Sequence, residues 1–111
     1  MRALDIDTER AVRAFLARLP GMFPLERAIV YGSRARGDFH PDSDADVALI
    51  LTWGADDWRT LWMLGGLAFD VMMETGILVQ PVPIASEDWI RPDQFSRPGF
   101  LRNVTRDGIV L

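Results

Sequence analysis

The segment from Gly32 to Asp46, GSRARGDFHPDSDAD, holds the residues of this sequence best suited to chemistry. It begins with a glycine–serine pair and ends with two aspartates, Asp44 and Asp46. A glycine–serine pair that leaves a strand and enters a helical turn offers backbone N–H groups to an anion. Gly32 has no Cβ that would hold a ligand away, and Ser33 adds a hydroxyl donor. This half of the segment predicts a phosphate-binding turn.

The two aspartates predict a metal site beside that turn. Asp44 and Asp46 lie at the start of a predicted strand, where residues two apart direct their side chains to the same face. Neighbouring carboxylates repel each other, so one keeps a raised pKa unless a cation lies between them. Hard oxygen ligands of this kind suit Mg²⁺ or Mn²⁺. The ten residues between Ser33 and Asp44 allow the chain to return antiparallel, which is a geometry for phosphoryl or nucleotidyl transfer.

The segment resembles the signature of the DNA polymerase beta-like nucleotidyltransferase superfamily, which is Gly-Ser, a spacer and Asp-x-Asp. GSRARG followed by SDAD is similar, more specifically, to the minimal nucleotidyltransferases, small proteins of about this length. The resemblance implies that Gly32 and Ser33 bind the triphosphate of ATP and that Asp44 and Asp46 hold Mg²⁺ or Mn²⁺. It also implies a partner, because many members are encoded beside a helical HEPN-type protein, and some are antitoxins that transfer AMP onto it.

The arginines around the turn have two interpretations. Arg36 is a candidate nucleotide-binding residue, because its planar guanidinium matches a phosphate group. Alternatively, Arg34 and Arg36 pair with the nearby Asp38 or Asp42. Arg97 is assigned to a solvated helix face.

The sequence departs from the family pattern at one position. Catalytic members carry a third carboxylate on the strand after the long helix, but here that strand is ILVQPVPI, with Gln80 nearest the expected place. An amide oxygen can ligate Mg²⁺ but cannot act as a general base near neutral pH. Asp70 and Glu74, on the preceding helix, are the alternative acids. The sequence therefore leaves open whether the chain is an adenylyltransferase or a degenerate module that binds only a nucleotide or a partner. A third hypothesis is a transferase resembling the aminoglycoside enzymes. Those enzymes usually need an extra domain to hold the acceptor, and 111 residues leave no room for one unless a second subunit supplies it.

The composition limits the classes of partner. The formal net charge is −4 and there is no lysine, which argues against direct binding of DNA or RNA. Cysteine is absent, so the site has no thiolate. Neither a signal peptide nor an apolar run of the ~20 residues needed to cross a membrane is found. We expect a single soluble, cytoplasmic domain over residues 1–111.

The periodicity of apolar residues predicts an α+β fold, in which helices pack mainly on one face of a small mixed sheet. This is also the fold that the resemblance implies. The predicted elements, in chain order, are a helix over 8–19 capped by Asp7 or Thr8, strands over 26–31 and 44–52, a helix over 55–75, a strand over 77–84, a capped turn at 86–89 and a helix over 97–107 capped by Ser96.

The long predicted helix carries more apolar residues than one sheet face requires. A helical wheel places Trp58, Leu61, Trp62, Phe69 and Met72 on one stripe, which Leu64 and Val71 extend, while Met63 lies among the polar residues. The width of the stripe predicts a homodimer or a complex with a helical partner through this helix. Alternatively, the first and last helices of the same chain cover the surplus.

Overall fold

The three predicted helices and three predicted strands occur in the predicted order, and the described residues contain two further short helices and one further strand. The structure is a computed structural model that describes residues 3–19, 21 and 23–111. The elements are α1 (Ile6–Leu16), β1 (Leu25–Tyr31), α2 (Ser33–Arg36), β2 (Ala45–Leu51), α3 (Trp58–Thr75), β3 (Val79–Ala85), α4 (Ser86–Ile90), α5 (Pro98–Asp107) and β4 (Ile109–Val110). The sequence analysis did not predict β4 or a 3₁₀ turn at Pro92–Gln94.

The strands form one mixed sheet in the order β3–β2–β1–β4. β1 is antiparallel to β2, with Tyr31 opposite Asp46. β2 is parallel to β3, with Asp46 beside Gln80. Helix α3 makes the crossover that a parallel pair requires. The ends of β1, β2 and β3 that carry Tyr31, Asp46 and Gln80 therefore meet at one end of the sheet.

The alternation of side chains along β2 divides the core between two faces. Val47 and Leu49 belong to the larger core, which α1 and α3 cover. Ala48 and Ile50 face the other side, where Leu101 of α5 packs against them. The α+β class and the small mixed sheet are confirmed. The second face of the sheet also carries a helix. Asp46 lies on this second face, because it is two residues from Ala48 in the same strand.

Two predicted caps are wrong. Helix α1 begins before the predicted start, and Asp5 caps it by accepting a hydrogen bond from the backbone N–H of Thr8 at 3.2 Å. Thr8 is instead buried beneath the loop that follows α2. Helix α5 begins without a side-chain cap, since its N-cap residue is Arg97 and not Ser96. The predicted stop at Pro20 lies outside the described residues.

Helix α3 separates its apolar residues into a buried and an exposed side. Asp57 caps its first turn, and Gly76 ends it in the left-handed conformation. Leu64 and Val71 are buried against the sheet, whereas Trp62 is 78% exposed. Helix α5 packs on the opposite face of the sheet. Helix α1 contacts α3 but leaves Trp62 exposed. The alternative that the first and last helices cover the surplus apolar surface is therefore wrong.

Strand β3 forms one edge of the sheet, as the prolines in it predict. Pro81 and Pro83 lie beside Val47 and Leu49 of β2 in the parallel register. The other edge is β4, which is two residues long. Among the described residues, none of the helices is long and apolar enough to cross a membrane.

Candidate active site

The glycine–serine turn and the second aspartate are in direct contact. Gly32 follows β1 and begins α2 with φ 76° and ψ −157°, a region that residues with a side chain rarely adopt. A Cβ on Gly32 would lie 2.5 Å from Oδ2 of Asp46. Glycine is therefore required at this position twice, by the backbone conformation and by the close approach of the carboxylate. The structure brings together the turn that is predicted to bind phosphate and the acid that is predicted to lie beside it.

Gln80 completes a cluster with the two aspartates. Asp44 immediately precedes β2, and its Oδ2 accepts a hydrogen bond of 3.2 Å from Nε2 of Gln80. Gln80, which the sequence places nearest the expected third acid, therefore contacts Asp44 through its amide group. The alternative acids lie elsewhere. Glu74 pairs with Arg18, and Asp70 is exposed beside Trp62 on the outer side of α3.

The pKa values of two groups respond to this packing. Burial raises the pKa of Asp46 above its ordinary value, the charge of Asp44 raises it further, and Arg36 opposes both effects. Burial and the charge of Asp46 also raise the pKa of Tyr31 to about 12, against a smaller opposing effect of Arg97. Asp46 is therefore a carboxylate whose negative charge is poorly compensated by the protein around it.

Arg36 lies near the acids, but it already has partners. Its Nε donates to Oδ2 of Asp38 and its Nη1 to Oδ2 of Asp107, each at 3.2 Å. A second guanidinium, that of Arg106, also binds Asp107, and these hydrogen bonds lower the pKa of the Asp107 carboxyl. The predicted pairing of Arg36 with Asp38 is present. The side chain is exposed, so a role in phosphate binding requires exchange of these partners.

Arg34 holds the loop between the turn and the aspartates. Only 3% of it is exposed, and it donates to the carbonyls of Ser43 (2.8 Å) and Pro41 (3.1 Å) and to Oγ1 of Thr8 (2.8 Å). Its guanidinium also lies 4.6 Å from the centre of the Phe39 ring. The prediction that Arg34 pairs with Asp38 or Asp42 is wrong. It instead ties the returning loop to α1, immediately before Asp44.

Replacement of Arg34 is expected to destabilise the fold and loosen this loop. Arg34→Met leaves three acceptors without their donor, and one of them, Oγ1 of Thr8, is buried. We therefore expect a loss of about 3 kcal/mol in the free energy of unfolding, measured in urea. Thr8→Val removes one of these hydrogen bonds and is expected to cost about 1 kcal/mol. Equal losses in the two variants would contradict a loop held by all three hydrogen bonds.

The donor set fits a divalent metal ion. Asp44 and Asp46 supply carboxylate oxygens, and Gln80 supplies an amide oxygen if its side chain rotates away from the hydrogen bond to Asp44. These are hard ligands of the kind that Mg²⁺ and Mn²⁺ take. The raised pKa of Asp46 marks a repulsion that a cation would relieve. In the described part of the chain, no group of three or more acids or histidines gathers into a metal site.

Sequence reasoning missed three residues beside the site. Tyr31 is the last residue of β1, and counting along an antiparallel hairpin would have placed it opposite Asp46. Arg97 was assigned to a solvated face, but its charge acts on Tyr31, and its guanidinium lies 4.9 Å from the Phe100 ring centre. Asp107 reaches Arg36 from the end of α5. No local pattern signals that contact, since it depends on how α5 packs across the sheet.

The comparison with protein families identifies the class. A model of the family described as "Nucleotidyltransferase domain" matches residues 10–88, a range that includes the turn, both aspartates and Gln80. The chain therefore belongs to the nucleotidyltransferase domain family. No curated protein gives a significant match.

Several solved structures with a similar fold are toxin–antitoxin complexes. One, described as a toxin–antitoxin with AMP-PNP, has a TM-score of 0.62 and 17% identity, over 95% of this chain and 72% of the matched chain. Another holds a tri-AMPylated HEPN toxin of Shewanella oneidensis with an MNT antitoxin. It has a TM-score of 0.55 and 14% identity, over 95% of this chain and 68% of the other. At these identities the likeness shows the fold alone.

Proposed function

We propose that this chain is a metal-dependent nucleotidyltransferase that transfers AMP from ATP to a hydroxyl of a helical, HEPN-type partner protein and so acts as an antitoxin. The observation that carries the proposal is the contact between the Gly32 backbone and the Asp46 carboxylate. It supports the proposal because the turn proposed to bind phosphate lies against the acid proposed to bind the metal. Membership of the family supports the chemistry, and the neighbouring toxin–antitoxin structures support the choice of partner.

Each residue of the site has a role in this proposal. Gly32 and Ser33 bind the triphosphate through backbone N–H groups and a hydroxyl, and Arg36 assists. Asp44 and Asp46 hold Mg²⁺ or Mn²⁺, which neutralises phosphate charge when bound. The acceptor oxygen bonds to the α-phosphorus, the bond from that phosphorus to the β-phosphate oxygen breaks, and pyrophosphate leaves. The acceptor proton passes to water, because an amide at position 80 cannot accept it.

A second function, binding without catalysis, is favoured by one contact. The amide of Gln80 donates to Asp44 at the position where catalytic members carry a third acid. A hydrogen-bonded amide is a stable neighbour for a carboxylate, but it adds neither charge nor a base. In this second proposal the chain binds a nucleotide or its partner protein and transfers no nucleotidyl group.

Radiolabelled ATP distinguishes the two proposals. The chain is incubated with ATP labelled at the α-phosphate, Mg²⁺ and a HEPN-type helical protein, with a matched reaction in EDTA. We expect slow, Mg²⁺-dependent labelling of the partner. ATP binding without any labelling would replace the transferase by the binding module. The absence of both ATP binding and labelling would contradict the transferase and the nucleotide-binding module, and would leave only a module that binds its partner.

A further inference from the structure

An apolar stripe lies on the side of α3 that faces away from the sheet. It consists of Trp58, Trp62, Phe69 and Met73, which are 67%, 78%, 55% and 69% exposed. We call these four residues, with Gly65 and Gly66 between them, the outer stripe. The buried residues of α3 lie on the opposite side of the helix. Among the described residues, the one ring or cation contact to the outer stripe comes from α3 itself, where the Arg59 guanidinium lies 5.6 Å from the centre of the Trp58 ring. No other element of the chain covers the outer stripe enough to bury it.

The outer stripe is symmetric about its glycine pair. Trp62 precedes Gly65 by three positions, and Phe69 follows Gly66 by three. Trp58 and Met73 are likewise seven positions from the nearer glycine. Because of this symmetry, the stripe can pack against the same stripe of a second, antiparallel helix. Each large side chain of one helix then lies level with a large side chain of the other, and the two glycine pairs lie level with each other.

We propose that the outer stripe is the interface of a homodimer, in which α3 of a second copy packs antiparallel on a two-fold axis between Gly65 and Gly66. The axis brings Trp62 level with Phe69 of the second copy and Trp58 level with its Met73. An interface of this kind uses the same patch on both subunits, as two-fold dimers do. The inference rests on α3 alone and stands whether or not the proposed function is correct.

The glycines suit this geometry better than they suit an isolated helix. Glycine weakens the middle of a helix, and two occur together at the centre of α3. A Cβ at Gly65 or Gly66 would meet nothing within 4 Å in the chain. Their lack of side chains is therefore not required by packing within the domain. A second helix that crosses at this point explains it, because glycine lets two backbones approach closely.

Charges at the edge of the outer stripe agree with the same register. Arg59 and Asp70 are both exposed and lie on the same side of the stripe, one near each end. In the antiparallel dimer, Arg59 and Asp70 of the second copy are two positions out of register, which is an offset of about 3 Å along the helix axis. The long arginine side chain spans that offset. The dimer therefore forms the same ion pair twice.

The exposed area is large enough for a stable dimer. With aromatic side chains of ~150–250 Å² each, the exposed fractions of the outer stripe and of the flanking Leu61 and Met63 amount to roughly 700 Å² per copy. Complete burial of this surface in two copies would remove about 1,400 Å² from water, within the ~1,200–2,000 Å² of specific interfaces. A monomer rarely exposes an apolar patch larger than about 600 Å².

The first test changes the centre of the outer stripe. Sedimentation of the wild-type chain should give a dimer, and Trp62→Glu should raise its dissociation constant by about thirtyfold or more, with the circular dichroism spectrum unchanged. Ile90→Glu is the matched control, because Ile90 is 71% exposed on α4, away from the stripe. This control should sediment as the wild type does. Gly66→Gln should leave the fold intact and also weaken the dimer.

The second test changes the charges. Arg59→Asp and Asp70→Arg should each weaken the dimer by about tenfold. The double variant should regain the wild-type dissociation constant, because the exchanged charges of residue 59 in one copy and residue 70 in the other attract each other again. Weakening without rescue in the double variant would overturn the antiparallel two-fold register. A wild-type chain that stays monomeric at high concentration would overturn the dimer. So would a chain that uses Trp62 only to bind a different helical protein.

Discussion

ATP is expected to bind this chain with Mg²⁺ or Mn²⁺ and not detectably without them, and Asp46→Asn is expected to abolish the metal-dependent binding. Asp46 lies against the turn that would hold the phosphates, so its carboxylate and the triphosphate repel each other until a cation lies between them. Removing the charge removes a metal ligand at the point of closest approach. We expect a loss of about a hundredfold or more in affinity for ATP, measured by calorimetry.

A matched control separates this effect from a general change of charge. Asp42 is exposed in the same loop, and Asp42→Asn removes the same charge without touching the cluster. It should bind ATP with the wild-type affinity. Equal ATP affinity with and without metal in the wild type, or equal losses in the two variants, would contradict the site.

The Asp46→Asn variant should also be more stable than the wild type at neutral pH. Because the folded chain raises the pKa of Asp46, it holds that proton more tightly than the unfolded chain does. The stability from this group is present at low pH and is lost as the pH rises through the folded pKa. We therefore expect a higher melting temperature for the variant at pH 7, by a few degrees, on the scale of ~4–8 °C per kcal/mol. The difference should shrink below about pH 4, the usual pKa of an aspartate.

Gln80→Asp is expected to increase AMP transfer by about a hundredfold, the usual effect of a well-placed general base. The substitution puts a third carboxylate beside Asp46 in the β2–β3 ladder and removes the amide that now binds Asp44. Without metal the three negative charges should lower the melting temperature. With Mg²⁺ they should bind the ion more tightly and accept the acceptor proton. The rate is measured as label transferred from ATP to the partner.

Gln80→Asn is the control for this prediction, because it has the size of aspartate without the charge. It should not increase transfer. Fast transfer by the wild-type chain, unchanged by Asp70→Ala or Glu74→Ala, would show that no third carboxylate is needed. The structure already places Glu74 in an ion pair with Arg18, so we expect neither alanine variant to change the rate.

The sequence predicts the features that depend on local spacing. Strands β1 and β2, helix α3 and its end at Gly76 follow from periodicity and turn residues. The approach of Asp46 to Gly32 follows from an antiparallel return of the right length. These predictions succeed because each depends on residues close together in the chain.

Other features depend on packing between distant segments, which a single sequence does not show. The partners of Arg34 lie on α1 and on the returning loop, so no local pattern distinguished burial from a surface ion pair with Asp38. Strand β4 consists of two residues, which is too short for a periodic pattern in the sequence. It pairs with β1 because α5, which precedes it, ends beside β1. The predicted N-cap of α1 is wrong for a related reason, because the hydroxyl of Thr8 accepts a hydrogen bond from the distant Arg34.

The prolines of β3 also bear on how this protein avoids aggregation. Alternate residues of a parallel strand direct their backbone groups to opposite sides, so Pro81 and Pro83 share one side, the outer edge of the sheet. That edge lacks two of the N–H donors that an added strand would need. The opposite edge, β4, is too short to template one. We therefore expect the sheet to resist strand exchange with other chains during refolding at high concentration, even though α3 exposes two tryptophans.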